Sequence, residues 1–333
     1  MILDELIAYG AFPGAVGLAT AHGRSIFRAA AGRYTYDAES PAVTEDTLYD
    51  LASVSKVFTS MAVLTLINAG QISLEDRVRR FLPFLSEDRE PITIRQLLTH
   101  TSGLPSVPEL HRTHVTRDAL ESALHKIPLQ CPPGQQVSYT SLGYQCLGWV
   151  IEAVTGLRLD QYVRDAILDP FGIEAWYAPP REWRAKIAPT EYSPVCGRLL
   201  QGEVHDENSY LLGGITGHTG IFAPARSVLR FGQALLEKRD PLLFTDLTGG
   251  LEPHRSAAFV IDNPVFADWA TPTFSHTGFT GTSLCIVPAR DTVVVLLSNR
   301  VQPTRENERI VDARTRFHEH VRASTIESSG SAV

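Results

Sequence analysis

The stretch Asp50-Leu51-Ala52-Ser53-Val54-Ser55-Lys56-Val57-Phe58-Thr59 decides how the chain is read. It opens a run, Leu51–Ala69, with helical apolar spacing that stops at Gly70. Positions three apart share a helix face, so the Ser53 hydroxyl and the Lys56 amine can touch. The positive end of a helix beginning at Ser53 also stabilises an alkoxide there. An amine can lose its proton in a dry site or beside a second cation, whereas a guanidinium cannot. The chain holds four lysines against 26 arginines, so a lysine at this place is suggestive. Taken alone, Ser-x-x-Lys is a weak signal, and an ordinary helix-surface cation explains it equally well.

Two distant segments change that balance. Tyr139-Thr140-Ser141 follows the turn-prone Cys131-Pro132-Pro133-Gly134 and precedes a helical pattern over Leu142–Val154. A loop tyrosine is usually a packing residue, but a phenol beside an ammonium can accept and return a proton. Ser275-His276-Thr277-Gly278-Phe279 lies on a predicted strand and is followed by Thr280-Gly281-Thr282. Small residues at a strand edge let a substrate lie alongside it, with backbone N–H groups facing a carbonyl oxygen. A second copy, His218-Thr219-Gly220, sits in a glycine-rich loop before a helix and reads as a loop or supporting residue.

Outward from these segments, strands are expected at both ends of the chain and helices between them. Helical patterns cover residues 2–9, Ile92–Leu98, Arg117–Lys126, Leu159–Leu168, Arg226–Leu236 and Arg305–Ala323. Strand patterns cover Ala15–Thr20, Ser25–Ala31, Ser256–Ile261, Pro272–His276, Thr282–Val287 and Thr292–Leu297. Residues 170–215 read as long loops. Strands distant in sequence can share one sheet, with the helical middle inserted as a second lobe. The expected division is a discontinuous sheet domain, 1–58 plus 240–323, a mainly helical lobe, 59–239, and a flexible tail, 324–333.

Composition excludes several classes. The 333 residues are 44% hydrophobic, which rules out disorder for most of the chain. The net charge of −7, with no basic cluster, argues against a nucleic-acid partner. No apolar run is long enough for a membrane-spanning helix. Met1-Ile2-Leu3-Asp4-Glu5 lacks the basic start of a secretory signal, so the expectation is a cytoplasmic chain. Cys131, Cys146, Cys196 and Cys285 have no C-x-x-C spacing and read as reduced thiols. Neighbours in His205-Asp206-Glu207 rarely point at one metal ion, and the chain lacks H-E-x-x-H. Trp149, Trp176, Trp183 and Trp269 read as core, and His318 and His320 as solvated residues on the last helix. The chain has no G-x-S-x-G elbow, which argues against an α/β-hydrolase fold.

In this order, the three motifs resemble those of the serine β-lactamase and penicillin-binding superfamily, in its class C-like branch. That branch contains esterases, D-aminopeptidases, D,D-carboxypeptidases and β-lactamases. The resemblance extends to Ile94-Arg95-Gln96-Leu97-Leu98-Thr99-His100-Thr101-Ser102-Gly103-Leu104, to the helix after Tyr139, and to Gly202–Asn208 with Gly217–Gly220. It implies an α/β (α+β) fold, an antiparallel sheet flanked by helices. It also implies Ser53 as nucleophile, Lys56 and Tyr139 as the proton-moving pair, and His276, Thr277, Gly278, Phe279 and Ser141 around the substrate. The backbone N–H groups of Ser53 and Phe279 would hold the oxyanion. No metal or organic cofactor is implied, and the partner is a small ester, amide or lactam.

The chain departs from the family pattern twice. Ser141 stands where asparagine is usual, and it is shorter with one donor instead of two. His276 stands where lysine is usual, so its charge depends on its surroundings. Both changes weaken the site for a penicillin-like acylamino carboxylate while leaving acyl transfer intact. The resemblance therefore favours an ester or a D-amino-acid amide or peptide over a β-lactam or cell-wall crosslink. A non-catalytic scaffold is the reading from another class, and the intact Ser53, Lys56 and Tyr139 set argues against it.

Overall fold

A computed structural model of the chain describes residues 1–106, 109–266, 269 and 271–330. Six strands form the central sheet: β1 (Gly14–Ala21), β2 (Arg24–Gly32), β3 (Val260–Ile261), β4 (Phe274–Thr277), β5 (Ser283–Val287) and β6 (Thr292–Ser298). Their spatial order is β2-β1-β6-β5-β4-β3, with every neighbour antiparallel. The first and last parts of the chain thus build one sheet, as their strand patterns predict.

Successive strand residues face opposite sides, and here both sides are covered. Val16 and Leu18 of β1, Leu284 and Ile286 of β5, and Val293, Val295 and Leu297 of β6 join the large core. Ala15, Ala19, Cys285, Val287, Val294 and Leu296 pack on the opposite face. Five helices matter for the site: α1 (Ile2–Ala8), α2 (Ser55–Asn68), α3 (Ser141–Thr155), α4 (Ala225–Lys238) and α5 (Ile310–Gly330). α2, α3 and α4 feed the large core, and α1 and α5 cover the other face. Phe317 of α5 lies against Gly17, where a Cβ would come within 2.7 Å of its ring.

α2 runs through the middle of the large core, with every residue from Ser55 to Leu64 buried. A helix apolar all round is a core helix. It places the residues at its N-terminus in the interior of the fold. Among the described residues, no helix is long and apolar enough to cross a membrane.

The structure differs from the sequence reading at several elements. The Ser256–Ile261 strand shrinks to Val260–Ile261. Ser256 Oγ accepts from the amides of Ala258 and Phe259, turning the backbone locally instead of extending it. Leu159–Leu168 is α-helical to Val163 and then π-helical over Arg164–Leu168. The 170–215 segment contains short pieces, among them the helix Glu207–Leu211, capped by Asp206. α5 continues through Ser324 to Gly330 where a polar tail is expected, and residues 331–333 lie outside the described residues. His318 is buried against Phe266 and not solvated, while His320 is exposed.

Candidate active site

Ser53 lies in a one-turn 3₁₀ helix, Ala52–Val54, that leads directly into α2. The turn is held from outside: Asp50 Oδ1 accepts the Ala52 amide and Oδ2 accepts the His205 amide, both at 2.8 Å. Ala52 takes a left-handed φ of +46°, a conformation that surrounding contacts must impose on a residue with a Cβ. Burial raises the Asp50 carboxyl above its usual range, against the pull of these two amides.

Lys56 is fully buried, one turn along the helix. Its Nζ lies 3.0 Å from Ser53 Oγ, 3.0 Å from the His218 carbonyl and 3.4 Å from Ser141 Oγ. The lysine therefore gathers the Ser53 segment, the second motif and the His218 loop around one nitrogen. The expected contact between Ser53 and Lys56 is present.

Tyr139 comes from the loop before α3, and its ring lies 5.1 Å from Lys56 Nζ. The His100 ring packs on it at 4.5 Å, and the Thr140 amide donates to His100 Nδ1 at 3.1 Å. Ser141 begins α3, whose cap is the Thr140 hydroxyl accepting from the Leu142 amide.

Thr277, Gly278 and Phe279 form the end of β4 and its turn into β5. They line one cleft of about 880 Å³ together with Ser53, Tyr139 and Ser141. A Cβ on Gly278 would sit 2.0 Å from Thr282 Oγ1 and 2.5 Å from the Leu51 carbonyl, so only glycine lets this turn approach the Ser53 segment. Thr282 and Thr280 bind it there by donating to the Leu51 and Asp50 carbonyls. Arg314 donates to the carbonyls of Gly278 and Thr282, and Arg300 to that of Phe279.

His276 is buried beside Tyr139, with ring centroids 6.2 Å apart. Its Nδ1 faces the Thr277 carbonyl at 3.0 Å, so Nδ1 carries the proton and Nε2 a lone pair. Burial, with Lys56 and Arg255 nearby, pushes its pKa down to about 3. The imidazole is neutral at ordinary pH and does not replace the charge of a lysine.

Several further residues reach the site that the sequence motifs gave no role there. Asp206 lines the cleft, accepts from the Ser209 amide and faces His218 Nε2 at 3.3 Å. His218 and Lys56 hold its carboxyl below the ordinary range, against its own burial. His205 faces Glu191, and Arg305 joins Glu191 to Glu207. The three residues of His205-Asp206-Glu207 thus turn to different partners. The second His-Thr-Gly reaches the site through a backbone carbonyl, consistent with a supporting residue. Arg255 is buried with its guanidinium 5.4 Å from the Tyr139 ring.

A family model described as Beta-lactamase matches residues 2–316 of the chain. The chain belongs to the Beta-lactamase family. It is a serine hydrolase of that family, with the mixed α/β fold and antiparallel sheet that the motifs imply. A curated protein of Salmonella agona named "Putative D-alanyl-D-alanine carboxypeptidase" is 28% identical, covering 80% of this chain and 72% of the relative. Among solved structures, EstCE1, titled a hydrolase with promiscuous acyltransferase activity, is 22% identical with a TM-score of 0.75. The match covers 94% of this chain and 96% of that one. A class C β-lactamase from Rhodobacter sphaeroides is 20% identical with a TM-score of 0.73, covering 98% of both. At these identities the solved structures are relatives in fold. Ser141 and His276, the two residues that the resemblance marks as departures, flank Lys56 and Tyr139 respectively.

Proposed function

We propose that this Beta-lactamase-family chain hydrolyses a small ester, or a D-amino-acid amide or peptide, through an acyl-enzyme on Ser53. The observation that carries this reading is the 3.0 Å approach of Lys56 Nζ to Ser53 Oγ beneath the Tyr139 ring. Ser53 Oγ bonds to the substrate carbonyl carbon, and its proton passes to the Lys56–Tyr139 pair. The same pair returns that proton to the leaving alkoxide or amine as the old bond breaks. Water then attacks the acyl-enzyme, gives one proton back to Ser53 Oγ and releases the acid. The amides of Ser53 and Phe279 hold the oxyanion in both steps, and losing one such donor costs about 10²–10³ in turnover. The assignment stays with the pair and not with one of its members.

The substrate preference rests on the two departures. A neutral His276 offers no cation to a substrate carboxylate, and Ser141 has no amide for an acylamino side chain. A β-lactamase or D,D-peptidase is the second reading, and the name of the Salmonella relative favours it.

Ser53→Ala should abolish turnover of a short-chain nitrophenyl ester and covalent labelling by a fluorophosphonate. Retained turnover overturns the assignment of the nucleophile. A panel of esters, D-amino amides, D-alanyl-D-alanine peptides and nitrocefin ranks the substrates. Nitrocefin or dipeptide hydrolysis approaching the ester rate overturns the preference. Absence of labelling in the wild type, with large assemblies in size-exclusion chromatography, would support a scaffold.

A further inference from the structure

Arg255 immediately precedes the Ser256–Ile261 segment, which sequence pattern reads as a strand and which the structure turns locally. Ser60 Oγ of α2 donates to the Ala257 carbonyl at 2.7 Å, and Tyr144 Oη of α3 reaches the same carbonyl and Ser60. The segment is thereby fastened to the two helices that carry Lys56 and Ser141. Arg255 is 7% exposed, and among the described residues it has no carboxylate partner. Its Nε is buried without an acceptor. A buried guanidinium with no counter-ion is destabilising, and burial lowers its pKa, though arginine stays charged. Such a group needs a reason to be there.

Tyr139 supplies the reason. Its ring is approached by Lys56 Nζ at 5.1 Å and by the Arg255 guanidinium at 5.4 Å. The other titratable rings around it are His100 and His276, both pushed far below the ordinary histidine range, first by burial, and Tyr144, whose phenol burial pushes up to about 12. Asp206 shares the cleft and is paired with His218. The two charges against the phenol are therefore Lys56 and Arg255, and only the first belongs to a motif.

We propose that Arg255 is a positioning residue that acts through Tyr139, providing beside the phenol the fixed positive charge that the third motif lacks at His276. It touches neither the substrate nor the bond that breaks. A fixed cation against the phenol ring favours the negative charge that develops there as the Lys56–Tyr139 pair takes the Ser53 proton. Arginine suits that task because it does not titrate with the pair. The inference rests on Tyr139 moving the proton, as proposed above.

The test uses Arg255→Gln, Arg255→Lys, Tyr139→Phe and the Tyr139→Phe/Arg255→Gln double variant, assayed with a nitrophenyl ester across pH 5 to 10. Arg255→Gln should lower kcat by about ten- to a hundredfold with KM changed by less than about threefold. The acid limb of kcat/KM should move to higher pH. Arg255→Lys, which keeps a charge at that place, should recover most of both effects. In the Tyr139→Phe background, Arg255→Gln should add less than about threefold, because the residue it acts through is gone. The limb position does not depend on how much protein folds, so it remains readable in a destabilised variant. An unmoved limb in Arg255→Gln, with Arg255→Lys equally impaired and both melting lower, overturns the inference and leaves a structural arginine. Full activity in Tyr139→Phe instead overturns the proposed proton transfer on which it rests.

Discussion

The backbone carbonyl of His218 accepts a hydrogen bond from Lys56 Nζ at 3.0 Å, across 162 residues of sequence. The lysine is thus held by a loop that carries its own His-Thr-Gly but offers an oxygen that no side-chain substitution removes. What brings the loop so close is Gly217. A Cβ there would sit 2.0 Å from the Tyr144 carbonyl and 2.9 Å from the Gly148 amide on α3. The Gly217 carbonyl also accepts from Thr59 Oγ1 at 2.7 Å, one turn beyond Lys56.

Gly217→Ala should therefore push the loop off α3 and carry the His218 carbonyl away from Lys56. Forcing a methyl into a closed contact costs about 1–3 kcal/mol, measurable by urea unfolding. Ester turnover should fall by about ten- to a hundredfold, since displacement of a catalytic group by an ångström has that scale. His218→Ala removes only the contact with Asp206 and should be the milder change. Equal losses in the two variants would mean that the imidazole, not the carbonyl, supports the site.

Ser141→Ala tests the third acceptor on Lys56. Ser141 Oγ lies 3.4 Å from Nζ, the longest of the three contacts. Loss of one net hydrogen bond of about 0.5–1.5 kcal/mol predicts a fall in kcat/KM of roughly two- to tenfold. A drop as deep as that of Ser53→Ala would give Ser141 a role in proton transfer and reopen the assignment of Tyr139.

Arg300 makes the turn after β4 rigid from the far side of the cleft. Its Nε donates to the Phe279 carbonyl at 2.7 Å, its guanidinium stacks 4.3 Å from the Phe279 ring, and Nη1 binds the Arg305 and Asn307 carbonyls. Arg300→Met should loosen Phe279, the residue whose amide is proposed to hold the oxyanion. The expected outcome is a kcat reduced by about tenfold or more with KM nearly unchanged, because the contact matters in the transition state. A rise in KM alone would place Arg300 in ground-state binding instead.

The parts of this protein that were legible in its sequence are those whose signal is local. Ser53 and Lys56 meet because three residues on a helix are one face, and β5 and β6 declare themselves by apolar runs. Arg255 was illegible because its surroundings read as a strand, and one side chain, Ser256, reverses the backbone there. His100 meets Thr140 40 residues on, and Asp206 meets His218 12 residues on, pairings that helix or strand spacing cannot show. His318 was misread for a different reason. Ile310, Ala313, Phe317 and Val321 mark one stripe of α5, but the buried face also takes in Arg314 and His318. A face wider than about 100° is what a helix packed on a sheet requires.

That buried histidine makes the pH dependence of stability predictable. His318 and His276 are both pushed down to about 3, mainly by burial, and His100 is lowered in the same direction. Unfolded, each takes up a proton near the ordinary histidine value of 6.5; folded, each stays neutral until far lower pH. The unfolded state therefore binds more protons below about pH 6.5, and stability falls as pH falls from there. One pH unit below the unfolded pKa, each such histidine removes about 1.4 kcal/mol of stability. Urea unfolding at pH 7.5 and 5.5 should show that loss, summed over the buried histidines. His318→Leu keeps the packing on Phe266, removes two buried nitrogens that lack partners, and should shrink the loss by about 1.4 kcal/mol. Its turnover of a nitrophenyl ester at pH 7.5 should stay at the wild-type level, since His318 packs on Phe266 and Phe317 and does not line the cleft. If the wild type and His318→Leu lose the same stability between the two pH values, the imidazole is not held neutral in the folded protein.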